Sequence, residues 1–149
     1  MDYSPGDKTI NEYCNNFSKI VSNMVINSSF IPGALEFIKK NYKNFSQYIV
    51  SATPQKELTF IVNSLGISNF FLNIYGSPID KEAHIKSIIL ENKNSLFDFI
   101  YIGDSLSDMK CSKKVGIDFI GLKNELVTFP DEIKTISNLF ELETMVKKI

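Results

Sequence analysis

The most constraining feature of this chain is a six-residue apolar run that passes through a Gly-Asp-Ser turn directly into a helical pattern. Phe97 to Ile102 is apolar apart from Asp98 and rich in aromatic residues and isoleucine, which reads as a buried strand. Gly103-Asp104-Ser105 is a tight exit, Leu106 to Val115 has helical spacing, and Gly116 stops it. Asp104 and Asp108 therefore stand where a strand hands over to a helix. That place is the rim of an open α/β sheet, where ligands bind. Two carboxylates four residues apart, with hydroxyls between them, suit a hard cation such as Mg²⁺. The plainer alternative is a helix N-terminus, with Ser105 as cap, Asp108 as its reciprocal partner and Asp104 favoured by the dipole.

The same handover recurs upstream. Tyr48 to Val50 reads as a short strand, with Thr53 as N-cap and Pro54 as the first helical residue. The helix after it buries Leu58, Ile61, Val62 and Leu65 and closes at Gly66. Ser51 then faces a helix N-terminus, whose free N–H groups and positive dipole favour an anion. Alternatively, Ser51 and Thr53 are only capping hydroxyls. Phe70 to Tyr75 reads as another strand, ending at Gly76-Ser77-Pro78. Lys81 opens the next helix, which carries Ile85, Ile88, Ile89 and Leu90. A lysine there opposes the dipole, which hints at an anionic ligand unless it is simply a solvated surface residue. His84 reads as a surface or partly packed residue rather than a ligand.

The flanks complete the pattern. Residues 1–8 read as a frayed start. Ile10, Tyr13, Cys14, Phe17, Ile20, Val21 and Met24 form a helical stripe that Asn27-Ser28-Ser29 breaks. Pro32-Gly33 begins a second helix, with Ala34, Leu35, Phe37 and Ile38, ending near Tyr42. Asp118 to Leu122 reads as a short strand. Residues 132–148 read as one amphipathic helix with Ile133, Ile136, Phe140 and Met145 inward. Strand–helix repeated four times means α/β: a mostly parallel sheet covered by helices in three layers. Ser51, Lys81 and the Asp104/Asp108 pair all follow strand C-termini and converge on one rim. Hydroxyl, ammonium and paired carboxylates are the parts of a Mg²⁺–phosphate site.

Composition narrows the ligand. A net charge of −1 gives no footprint for nucleic acid. All 16 basic residues are lysine, so a phosphate would be held by lysine, backbone N–H groups and metal rather than by a guanidinium fork. Cys14 and Cys111, far apart and outside any C-x-x-C, read as reduced, core-like thiols of a cytoplasmic protein. No signal peptide opens the sequence, no apolar run is long enough for a bilayer, and there is no internal repeat.

These motifs resemble the haloacid dehalogenase (HAD) superfamily, in its phosphatase-like branch with a helical cap. Phe30-Ile-Pro-Gly-Ala-Leu-Glu-Phe-Ile resembles the segment leading from cap to core, and Tyr48-Ile-Val-Ser51 resembles motif II. Gly76-Ser-Pro-Ile-Asp-Lys81 resembles the approach to motif III, and Ile102-Gly-Asp104-Ser-Leu-Ser-Asp108 resembles motif IV. The resemblance implies a Rossmannoid α/β/α core over residues 31–149, with 1–30 left from a helical cap. It implies phosphate binding by Ser51, Ala52 and Lys81, Mg²⁺ binding by Asp104 and Asp108, and catalytic roles for Lys81, Asp104 and Asp108. In such a site an aspartate attacks phosphorus, and water then hydrolyses the aspartyl-phosphate. Substrates of the branch are small phosphomonoesters, including phosphoglycolate and sugar phosphates.

The family's nucleophile is the first Asp of a D-x-D motif on the first core strand, and no D-x-D occurs in these 149 residues. The resemblance places the start of the sequence inside the cap, after that strand. The chain alone is then expected to be inactive, as part of a phosphatase or as a non-catalytic remnant that binds phosphate, Mg²⁺ or a partner chain. A receiver-like signalling domain is disfavoured, because no acidic pair follows a first strand. In the family layout the lost strand lies between the strands of Ser51 and Asp104. Those two strands are expected to pair directly, to leave an open gap, or to take a strand from another chain.

Overall fold

The computed structural model describes residues 7–92 and 95–146. Helices α1 (Asp7–Ile26) and α2 (Ala34–Asn41) precede strand β1 (Tyr48–Pro54), helix α3 (Gln55–Ser64) and strand β2 (Asn73–Ser77). Helix α4 (Lys81–Asn92), strand β3 (Ile100–Gly103), helix α5 (Leu106–Val115) and strand β4 (Asp118–Leu122) follow. Strand β5 (Thr135–Ile136) and helix α6 (Leu139–Val146) close the chain. The alternation expected from the sequence is present, and the pairings β1–β2, β3–β4 and β4–β5 are all parallel.

The strands form two sheets. β1 pairs with β2, and β3, β4 and β5 form a second sheet in that order. β1 and β3 are not hydrogen-bonded to each other, so the direct pairing of these strands does not occur. Their exposure reflects it: neither contains a buried residue, whereas β4, paired on both sides, buries Ile120 and Gly121. Helices bridge the two sheets. On α2, Leu35 packs with Ile49 of β1 against Leu58, Val62 and Ile67. Two residues on, Phe37 packs with Ile100 and Ile102 of β3 against Ile120, Ile136 and Leu142. Ile85 of α4 gathers Val50 of β1 and Phe99 and Tyr101 beside Cys111 and Ile117.

Several boundaries differ from the sequence reading. β1 runs on to Pro54, which is extended (φ −51°, ψ 136°) and pairs with Ser77, so Thr53 is not the cap of α3. Ser68–Phe70 and Leu96–Asp98 are 3₁₀ turns, which shortens the strands expected from Phe70 and Phe97. The helix expected over 132–148 is a strand and a shorter helix. Asn138 caps α6, accepting from the Glu141 N–H while its own amide donates to the Glu141 carboxylate. That cap starts the helix at Leu139 and leaves Ile136 to pair with Leu122. Within α6 the buried residue is Leu142, while Phe140 is exposed. Leu90 is exposed too.

The stripe on α1 exists but faces outward. Tyr13, Phe17 and Met24 are each about two-thirds exposed, and Cys14 is exposed rather than core-like. The face of α1 that meets α3 is polar: Ser22 is buried, and the Ser18 hydroxyl donates to Glu57 at 2.8 Å. Of the start expected to fray, residues 1–6 lie outside the described residues, and Asp7 and Lys8 belong to α1. Among the described residues, no helix is long and apolar enough to cross a membrane.

Candidate functional site

The rim is built at the C-terminal ends of β2 and β3. Asp80 prepares α4, its carboxylate accepting from the Ala83 N–H at 2.8 Å. Lys81 is the first residue of α4. Its ammonium crosses to the first turn of α5 and donates to Asp108 Oδ1 at 2.7 Å. That contact accounts for a lysine set against its own helix dipole: its partner carboxylate sits at the N-terminus of the neighbouring helix, where the dipole favours it.

Asp108 is almost fully buried and takes three side-chain donors. Tyr101 OH and Lys81 share Oδ1, the tyrosine at 2.7 Å, and Ser105 Oγ donates to Oδ2 at 2.6 Å. Ser105 also caps α5, accepting from the Asp108 N–H. Burial alone would raise the Asp108 pKa. The hydrogen bonds from Lys81, Ser105 and Tyr101 outweigh it and hold the carboxyl below its usual value. The same network, with burial as the larger cause, pushes the Tyr101 hydroxyl well above the normal tyrosine range.

Gly103 leaves room for this carboxylate. A Cβ on Gly103 would lie 2.5 Å from Asp108 Cβ and 2.8 Å from its Cγ. Gly103→Ala is therefore expected to displace Asp108 and to cost about 1–3 kcal/mol. Urea unfolding of that variant beside Gly66→Ala reads the difference. Gly66 has open space around it, and its cost arises only from a positive φ of 67°.

The other expected residues are placed as follows. Ser51 lies in β1, half-buried, accepting from the Thr53 N–H at 3.1 Å and donating to the Thr53 hydroxyl at 2.9 Å. Ala52 is exposed beside it. Asp104 is exposed, and its backbone carbonyl accepts from Asn124 Nδ2 at 2.8 Å. The structure thus joins Lys81 to Asp108 directly and leaves Ser51 bonded within its own strand end. Asp104 keeps an exposed carboxylate, while most of the acceptor capacity of Asp108 is already used. No group of three or more His, Cys, Asp or Glu residues able to hold a metal occurs among the described residues. Asp104 is the carboxylate here whose chemistry fits a hard, hydrated cation.

Sequence reasoning missed three contributors. Tyr101 sits two residues before Gly103, and only strand alternation could have aimed it at the face of Asp108. Gly103 acts by lacking a side chain. His84, expected near the surface, is buried: its Nε2 lies 3.0 Å from the Gly76 carbonyl and its ring packs on Tyr75. It braces the turn before Lys81.

The profile of the haloacid dehalogenase-like hydrolases matches residues 2–122. The chain belongs to that family. Solved HAD structures share its fold at low identity. A predicted phosphoglycolate phosphatase from Haemophilus somnus superposes with a TM-score of 0.81 at 16% identity, over 96% of this chain and 69% of that one. A haloacid dehalogenase-like family protein from Streptococcus pneumoniae gives 0.72 at 18% identity, over 95% and 72%. A HAD-hydrolase candidate from Bacillus subtilis, solved with magnesium bound, gives 0.67 at 22% identity, over 78% and 55%. This HAD-like chain thus spans about half the length of the Bacillus protein. No curated protein matches it.

Proposed function

We propose that the rim is the phosphate-binding part of a Mg²⁺-dependent phosphatase of small phosphomonoesters, with phosphoglycolate and sugar phosphates as candidate substrates. The observation that carries this reading is the Lys81–Asp108 pair, a half-buried ammonium fixed at a sheet's C-terminal rim. Lys81 commits one N–H to Asp108, and its other donors can meet a phosphoryl oxygen. Ser51 can turn its O–H from Thr53 to a phosphoryl oxygen while still accepting from the Thr53 backbone. The Ala52 N–H lies on the same exposed stretch. Asp104 would hold Mg²⁺ directly and Asp108 through its remaining acceptor site, while Asp108 chiefly holds Lys81 in place. The metal, when bound, would neutralise charge on the phosphoryl oxygens. A cytoplasmic setting fits the two unpaired cysteines.

The reacting carboxylate is the part this sequence does not supply, since it contains no D-x-D. The 149-residue chain alone is expected to show no hydrolysis of p-nitrophenyl phosphate above background in Mg²⁺. Turnover that follows the chain through purification and vanishes in Asp104→Ala would overturn that expectation. The absence of D-x-D also favours a second reading, a non-catalytic chain that only binds. Both readings require weak binding at the rim. Titration with inorganic phosphate and Mg²⁺ should move the amide NMR signals of Ser51, Ala52, Lys81 and Asp104. Ser51→Ala should weaken the phosphate response, and Asp104→Ala the Mg²⁺ response. Shifts confined to other parts of the surface would defeat both.

A further inference from the structure

The stripe on α1 has a stricter repeat than a core-facing helix needs. Ile10, Tyr13, Phe17, Ile20 and Met24 follow one another at alternating spacings of three and four residues. A helix lying on a globular core presents a broader apolar face. A narrow stripe that repeats about every 3.5 residues is the seam along which two helices pack knobs into holes. All five side chains are exposed, Tyr13, Phe17 and Met24 to about two-thirds. The opposite side of the helix holds it to the molecule: Ser22 is buried, and Ser18 donates to Glu57 of α3. The seam therefore points away from α3. Val21 borders it on one side, and the exposed ring of Phe60 lies beyond Asn23 on the other.

We propose that this seam is the contact surface of a homodimer, in which α1 of one copy packs against α1 of a second across a twofold axis. Three observations select a second copy as the occupant. The first is area. With about 150–200 Å² for a whole apolar or aromatic side chain, the seam, Val21 and Phe60 leave about 700 Å² exposed on each copy. Two copies would bury about 1,400 Å², inside the range of about 1,200–2,000 Å² for stable interfaces. The second is the border of the seam. Thr9, Cys14, Asn16, Val21 and Asn23 are all uncharged. A twofold contact brings the same patch of both copies together, so a border of one charge would repel itself. The third is the balance of charge on α1, where Asp7 and Glu12 offset Lys8 and Lys19. A helix that lies on a lipid surface is instead rich in Lys or Arg. The proposal rests on α1 and not on the rim, so it stands or falls separately from phosphate binding.

Sedimentation equilibrium of the 149-residue chain at about 1–100 µM reads the assembly directly. The expected result is a dimer at the upper end that dissociates on dilution. Phe17→Asp, at an exposed position in the middle of the seam, should remain folded by circular dichroism and raise the dissociation constant by about a hundredfold or more. Leu90→Lys, at an exposed position on α4, should leave the dimer unchanged. Cys14 gives a readout that needs no variant, because it is exposed and lies one helical turn from both Ile10 and Phe17. Its labelling by excess maleimide should slow by about threefold or more from the lowest concentration to the highest. A monomer throughout, a dimer that survives in folded Phe17→Asp, or Cys14 labelling that does not slow would each overturn the proposal. Open-ended association beyond two copies would also overturn it, since a twofold contact closes. So would a monomer that pellets with phosphatidylcholine–phosphatidylglycerol vesicles, since the seam would then serve a lipid surface.

Discussion

Lys81→Met should cost about 3 kcal/mol at pH 7, and part of that loss should disappear on acidification. Removing one member of a buried ion pair typically costs about 3–5 kcal/mol, because the other charge is left buried and unpaired. The low end applies here because Tyr101 and Ser105 still donate to the Asp108 carboxylate. In the native protein the carboxyl is held below its ordinary value, so its contribution is present above pH 4 or so and is lost as pH falls through the depressed pKa. Without Lys81 a hydrogen bond and a charge that lower the Asp108 pKa are gone, so the carboxyl takes up its proton at a higher pH than in the native protein. The gap between the variant and the native protein therefore narrows as pH falls. Urea unfolding at pH 7 and pH 4.5 measures this directly. Lys81→Met combined with Asp108→Asn should recover part of the loss at pH 7. Lys86→Met, which breaks an exposed, solvent-screened pair with Glu82, should leave stability almost unchanged. A Lys81→Met loss that is small or independent of pH would show that the pair does not hold the rim together.

What was legible in the sequence was mostly local. The helix from Leu106 to Val115 begins and ends as expected because its signals are short-range: Ser105 caps it and Gly116 leaves it at φ 87°. Ser51, Lys81, Asp104 and Asp108 stand out in the sequence because each reads as following a strand, although β1 runs on through Ser51 to Pro54. That Lys81 reaches Asp108 depends on two helix N-termini lying side by side, a tertiary relation that no spacing encodes. Tyr101 and Gly103 contribute through the third dimension as well. The stripe on α1 shows the opposite failure. Its helical period was plain, and periodicity says that a face is apolar without saying what covers it. The polar Ser18 and Ser22 side meets α3, and the aromatic side is exposed. Whether β1 and β3 pair was not legible in the sequence, because strand pairing of this kind depends on helix placement. With α2 and α4 bridging both sheets, β1 cannot close on β3 without repacking each helix.

Leu142→Ala is expected to be among the most damaging single substitutions in the chain, at about 3–5 kcal/mol. Leu142 has no exposed surface and packs with Ile120 and the equally buried Ile136. Phe37, Ile100, Ile102, Leu122, Leu139 and Met145 crowd the same cluster, which is where α2 and α6 meet the sheet of β3, β4 and β5. Truncation removes apolar contact and leaves a cavity that these neighbours can fill only by moving a strand or a helix. Small domains have about 5–15 kcal/mol of stability in all, so the variant should lose much of its folded population by physiological temperature. Phe140→Ala provides the contrast. Its ring is more than half exposed and lies over Gly33, and its loss should cost no more than about 1 kcal/mol. The comparison decides the phase of α6. A single helix over 132–148 would put Phe140 inward and make it the costlier change. The Asn138 cap starts the helix at Leu139 and turns Leu142 into the core instead. Thermal melts of the two variants, with the larger loss at Phe140, would return the segment to the longer helix.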